Sequence, residues 1–193
     1  MPSPPAVPDD RLAGWRRIER STDTPFDVGF FRITAHTVVY EDADLRAAIG
    51  ERAGTDRTWR IFLASRLVLS PPLPLSPPLS RLIADRAAEG FADRLRDRGF
   101  VGVAETETGS LDIDGERARL TGYEATCQSG GVTLAVEGWI ARWRSDGQFL
   151  LAGGAYPTAV RGAADDGTAA AVRETLRPEA FRDELFELIR ATG

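Results

Sequence analysis

Between Gly109 and Pro157 the hydrophobic and polar positions read as four consecutive strands divided by three glycine-containing turns. The spacing predicts strands over 110–113, 116–127, 132–143 and 149–156. Asp114-Gly115 separates the first two and Asp146-Gly147 the last two, and both dipeptides tolerate the positive φ of a tight hairpin turn. Ser129-Gly130-Gly131 supplies the turn between the pairs. The expectation is a C-terminal four-strand antiparallel meander over about 109–157.

Upstream, two longer alternating runs predict strands over 28–40 and 58–69. In the first, Phe31, Ile33, Ala35, Thr37 and Val39 form a core face, and Arg32, His36 and Tyr40 fall on the other. The second is apolar on both faces, which fits a central strand covered on both sides. Its face carrying Ile61 and Leu63 also carries Ser65. Helical spacing of apolar residues predicts helices near 42–53, 79–98 and 178–191, with a shorter one over 168–176. Asp42 or Asp44 caps the first, Gly54 and Gly99 end the first two, and Pro178 opens the last.

The remaining stretches are weaker. Residues 15–18 read as a short strand or a turn of helix, and Thr24-Pro25 breaks the chain. Residues 70–78 are proline-dense, which makes them a stiff crossover or a PxxP ligand for an aromatic groove. Residues 100–104 lead into the meander as an edge, and 159–167 look like a surface loop. Residues 1–10 read as a disordered tail and 11–193 as a single domain. The fold class is α+β, a mostly antiparallel sheet covered by helices.

Composition removes much chemistry. All 24 basic residues of the 193 are arginine, with no lysine and no asparagine, and the net charge is −5. A lysine Schiff base, a P-loop lysine and N-glycosylation are excluded. A mildly acidic chain gives no electrostatic reason to expect nucleic acid or an anionic membrane as partner. No apolar run reaches the ~18 residues of a membrane span, and the N-terminus lacks the parts of a signal peptide. A cytoplasmic location is the expectation. The arginine-only, acidic composition resembles that of salt-loving archaea with GC-rich genomes. Cys127 and His36 are each single, so a disulfide within the chain and a cysteine-based zinc site are excluded; no metal and no cofactor is expected.

Two sets of residues carry candidate chemistry. His36 shares a strand face with Arg32 and Tyr40, and a small enzyme would use His36 as general base with Arg32 holding an anionic substrate. Four residues along a strand span roughly 13 Å, however, so these groups do not converge unaided. In the meander, Glu137, Trp139 and Trp143 share one face of the third strand and Tyr123 lies on the second. If those faces coincide, they form an aromatic wall with one carboxylate, suited to a small ligand. The bland alternative packs the tryptophans beneath a helix. Gly153-Gly154 reads as close packing or a bulge rather than a phosphate loop.

The element order, with Gly109, Gly115, Ala118 and Tyr123 in the first strand pair of the meander, resembles the Mog1/PsbP-like α+β sandwich. That resemblance implies a small binding or accessory module and transfers no catalytic motif. The preferred reading is therefore a non-catalytic module for a protein partner or a small molecule, with self-association through a strand edge open. The His36 enzyme is the alternative.

Overall fold

Asp114 and Gly115 take φ of 51° and 81°, and Gly130 and Gly131 take 56° and 79°, the paired positive values of two-residue hairpin turns. These turns set the register of the C-terminal half. In a computed structural model describing residues 3–27, 31–72, 76–145 and 147–193, they join β4 (Phe100–Ile113), β5 (Glu116–Ser129) and β6 (Val132–Ser145). The fourth strand of the meander, β7 (Gln148–Ala163), follows at Gly147, φ 76°. Asp146, and the parts of the predicted strand and proline crossover at 28–30 and 73–75, lie outside the described residues.

Three strands precede the meander: β1 (Trp15–Asp27), β2 (Arg32–Asp42) and β3 (Ile61–Ser70). All seven described strands form one antiparallel sheet in the order β1-β2-β3-β7-β6-β5-β4. The central place of β3, between β2 and β7, accounts for its two apolar faces. Among the described residues four α-helices, α1 (Ala43–Ala53), α2 (Pro77–Asp97), α3 (Asp166–Thr175) and α4 (Pro178–Arg190), complete an α+β fold. Asp42 accepts from the Leu45 amide at 2.8 Å to cap α1, and Gly54 ends it at φ 64°. Pro77 and Pro78 fall in the first turn of α2, where a missing N–H is harmless, so the helix begins two residues earlier than the apolar stripe indicates.

The sequence reading is too short at three places, all where a strand is exposed or only half-buried on both faces. β1 runs on through Thr24-Pro25, which shifts the register between Asp23 and Phe26 without ending the strand. β4 begins at Phe100, and β7 continues to Ala163, paired with Val132, through the stretch expected as a loop. β1 and β4 are the two edges, and both carry register shifts and charged residues, which guard an edge against pairing with another chain. Ahead of β1, where a disordered tail is expected over 1–10, Ala6 and Gly193 exchange both backbone hydrogen bonds, and Val7 is buried.

Cross-strand partners share a face, so the register sorts the sheet into two surfaces. Tyr40, Phe62, Gly154 and Trp139 lie in one row of the first. This face packs beneath α4, whose Phe186 ring meets Trp139 edge-on at 5.4 Å. Thr37, Ser65, Leu151, Arg142 and Arg119 lie in one row of the second. That face holds α2.

Candidate functional site

The grip on α2 creates the site. On one flank, Arg142 donates to the Ala84 carbonyl at 2.7 Å, Tyr123 donates to that of Ala88 at 3.4 Å, and Phe91 packs on Tyr123 at 5.4 Å. Arg96 donates to the Val103 carbonyl of edge strand β4. On the other flank, Arg94 and Arg98 form ion pairs with Glu19 and Asp23 of the opposite edge strand β1. One helix bound to both edges means that this face of the sheet wraps it. Spaces remain on both sides of α2, a polar one toward β4–β6 and an apolar cavity toward β1–β3 that reaches Ile140 of β6 and Leu151 of β7.

The cavity measures about 320 Å³. Its floor is Ile33, Ala35, Thr37, Ser65, Leu67, Ile140 and Leu151, and its roof is Ile83, Ala87, Gly90 and Phe91. The sequence builds this space by placing small side chains on both sides of it: Ala35, Thr37 and Ser65 below, Ala87 and Gly90 above. Leucine at those positions would fill it. Among the floor residues only Thr37 and Ser65 carry side-chain hydroxyls. They are buried and hydrogen-bonded to one another at 2.8 Å. A hydroxyl both donates and accepts, so each retains capacity for a further partner.

The charged groups on the wall are satisfied within the protein. Asp23 pairs with Arg94 at 3.1 Å, Arg86 with Glu89 at 2.8 Å, and Asp93 with Arg96 at 2.7 Å. The cavity therefore presents an apolar interior, a neutral hydroxyl pair and a charge-balanced rim. That combination suits an uncharged molecule with one hydrogen-bonding group. Among the described residues no group of three or more His, Cys, Asp or Glu side chains is placed to hold a metal ion.

None of the residues singled out from the sequence lines this cavity, and of them only Tyr123 lies against α2, on its other flank. Arg32 is exposed and pairs with Asp27 at 2.8 Å, while His36 Nδ1 shares a hydrogen bond with the Thr22 hydroxyl at 3.1 Å. Both sit on the sheet face away from the cavity, and the convergence an enzyme would need is not formed between them. Tyr40 stacks on Phe62 at 6.1 Å, and burial raises its hydroxyl pKa. Trp139 is buried beneath Phe186 and Arg182, and its Nε1 donates to Tyr156 Oη at 3.3 Å. Tyr156 in turn donates to Glu137 at 2.7 Å, and burial together with this bond raises its pKa. Trp143 is buried on the same face.

Tyr123 pairs with Gly138, not with Glu137, so it projects from the opposite face to Glu137, Trp139 and Trp143. The shared aromatic wall is not assembled: the tryptophans pack in the core. Tyr123 lies instead against α2, its hydroxyl pushed up to about 12 by burial and by Glu105. Cys127 is likewise raised by burial, away from reactive thiolate character.

Sequence reasoning assigned Ala35, Thr37 and Ser65 to core faces and missed that they line a space. The available signal was a pair of hydroxyls on otherwise apolar strand faces. No helix among the described residues is long and apolar enough to cross a membrane. The profile of one family, described as a domain of unknown function (DUF6517), matches residues 4–193. No curated protein matches the chain. The likeness to Mog1/PsbP-like sandwiches rests on element order and the four residues quoted for it alone.

Proposed function

We propose, for a chain that belongs to the DUF6517 family over residues 4–193, that it is a non-catalytic module that binds a small uncharged molecule in the cavity beside α2. The observation that carries this reading is the Thr37–Ser65 hydroxyl pair on the floor of an otherwise apolar space of about 320 Å³. Buried hydroxyls serve well as the few orienting polar groups of a ligand pocket. At interior packing density the space holds a molecule of roughly a dozen non-hydrogen atoms. Its apolar body would lie against Ile83, Phe91, Ile140 and Leu151, and its polar group would reach Thr37 or Ser65. Burial of Trp139 and Trp143 leaves no apolar patch there for a protein partner, and this favours a small molecule over a protein. The resemblance to accessory modules points the same way. His36 and Arg32 have protein partners of their own on the other face, so no observation favours the enzyme.

Cyclohexanol is a suitable probe because it combines an apolar ring with one hydroxyl. It is expected to raise the unfolding temperature saturably, as binding to the folded state alone requires. Ala35→Leu fills the space from its floor. The variant is expected to keep stability within about 1.5 kcal/mol of the parent, because the added methyl groups enter a void rather than a packed core. It is also expected to lose the cyclohexanol response. A response that survives Ala35→Leu would place binding elsewhere and overturn the reading.

A further inference from the structure

α2 has a second crevice on its other flank, with opposite chemistry. It measures about 550 Å³ and is lined by Arg142, Arg119, Thr121, Tyr123, Asp85 and Glu105 among others. Arg142 stands in β6 and is only 6 % exposed. Its two terminal nitrogens donate to neutral acceptors, the Ala84 carbonyl at 2.7 Å and the Thr121 hydroxyl at 2.5 Å. Its Nε is buried with no hydrogen-bond partner. No carboxylate among the described residues lies within ion-pair distance of it.

A buried guanidinium without a contacting carboxylate is unusual, and here Asp85 and Glu105 of the same crevice offset its charge only from beyond ion-pair distance. The register adds a second cation: Arg119 of β5 is directly opposite Arg142 on the same face, and like charges so placed destabilise a strand pair. Two juxtaposed arginines, one buried and one exposed, form a receptor for an anion. A carboxylate fits the planar fork of a guanidinium. The crevice also carries Asp85, Glu89, Asp93, Glu105 and Arg96, and its carboxylates oppose any anion, a multiply charged one more than a monoanion. The acidic residues thus select against phosphate.

We propose that the Arg142–Arg119 pair is a binding site for a small monocarboxylate, separate from the apolar cavity and independent of what that cavity holds. Arg142 supplies the desolvated charge from the wall, Arg119 closes on the anion from the exposed side, and the Thr121 and Tyr123 hydroxyls lie beside it. A purely structural role for Arg142, tying α2 to the sheet through Ala84, predicts no response to anions.

The test is an NMR titration of the full chain with sodium acetate against sodium chloride at constant ionic strength. The arginine Nε–H signals and the Tyr123 ring serve as reporters. Acetate is expected to shift the Arg142 and Tyr123 signals saturably, and inorganic phosphate to bind more weakly. Arg142→Gln also releases the Ala84 carbonyl and alters the fold locally, so the deciding variant is Arg119→Gln at an exposed position. It is expected to weaken acetate binding about tenfold, the loss of one charge-assisted contact. Absence of saturation, an effect equal in chloride, or affinity unchanged in Arg119→Gln would overturn the proposal.

Discussion

Gly154→Ala is expected to destabilise the protein by about 3 kcal/mol or more, a fall of roughly 6–12 °C or more in the unfolding temperature of a domain of this size. Gly154 lies in β7 at the centre of the sheet, between β3 and β6, and is buried. A methyl group added there would overlap the Ile61 carbonyl oxygen of β3 and come within 2.9 Å of Leu185 Cδ1 on α4. Its neighbour Gly153 is confined in the same way by the Trp139 carbonyl and by Ile140 of β6. The obstacle in both cases is backbone of a neighbouring strand, which cannot swing aside as a side chain can. Ala at Gly154 therefore forces β7 away from β3 or lifts α4 from Trp139. Gly90→Ala is the control. Gly90 is inside α2, its φ is ordinary, and a Cβ there meets nothing within 4 Å. That change is expected to raise stability by about 0.5–1 kcal/mol, the usual gain for replacing a helical glycine. Circular dichroism melts of the two variants check both signs together.

The second large effect is expected at Glu41. Its side chain is 1 % exposed, at the point where β1, β2 and α1 meet. It accepts from Thr58 at 2.6 Å and from Arg46 at 2.8 Å, and pairs with Arg16. Glu41→Gln keeps the shape and removes the charge that both guanidiniums face. The expected loss is about 2–4 kcal/mol, below the full value for a broken buried pair because Arg16 and Arg46 regain some water.

The same residue predicts a pH dependence. Burial raises the Glu41 pKa, but hydrogen bonds from Thr58, Arg16 and Arg46 outweigh it, so the folded value lies below the ordinary 4.5. A carboxyl with a depressed pKa stabilises the folded state fully above its unfolded pKa, and loses that contribution as pH falls through the folded value. The gap in stability between parent and Glu41→Gln is therefore expected to be full above about pH 5 and to narrow below it. Urea unfolding across that range measures it. A gap independent of pH would mean that the loss comes from the Gln amide's mismatched hydrogen bonds and not from the missing charge.

The legible and illegible parts of this chain divide on a physical line. Elements whose residues answer to local rules were readable: the turns at Asp114-Gly115 and Gly130-Gly131, the Asp42 cap, and the apolar stripe of α4 with Phe181, Leu185, Leu188 and Ile189 buried as expected. β1 was not, because an edge strand needs no apolar alternation and Arg16, Arg17, Glu19 and Arg20 hide it. The far end of β7 was missed for the same reason.

The candidate sites depended on more than local rules. Placing Tyr123 on the face of Trp139 required the register of β5 against β6 to one residue, and a slip of one reverses the face. The cavity depends on where α2 rests, a tertiary outcome of Arg94 and Arg98 reaching β1 while Arg142 and Tyr123 anchor the helix from the other side. No local pattern encodes that. Residues such as Ala35 and Ser65 read as core until the helix position shows that nothing fills the space above them.

The central claim is that this space accepts a ligand. The most direct measurement is a methyl NMR titration of isoleucine-labelled protein with cyclohexanol. Ile33, Ile83 and Ile140 line the cavity, whereas Ile49 and Ile189 are buried in α1 and α4. The account predicts saturable shifts of the first three methyl signals and still signals from the other two. Shifts of all five alike, or none before the protein unfolds, would contradict it.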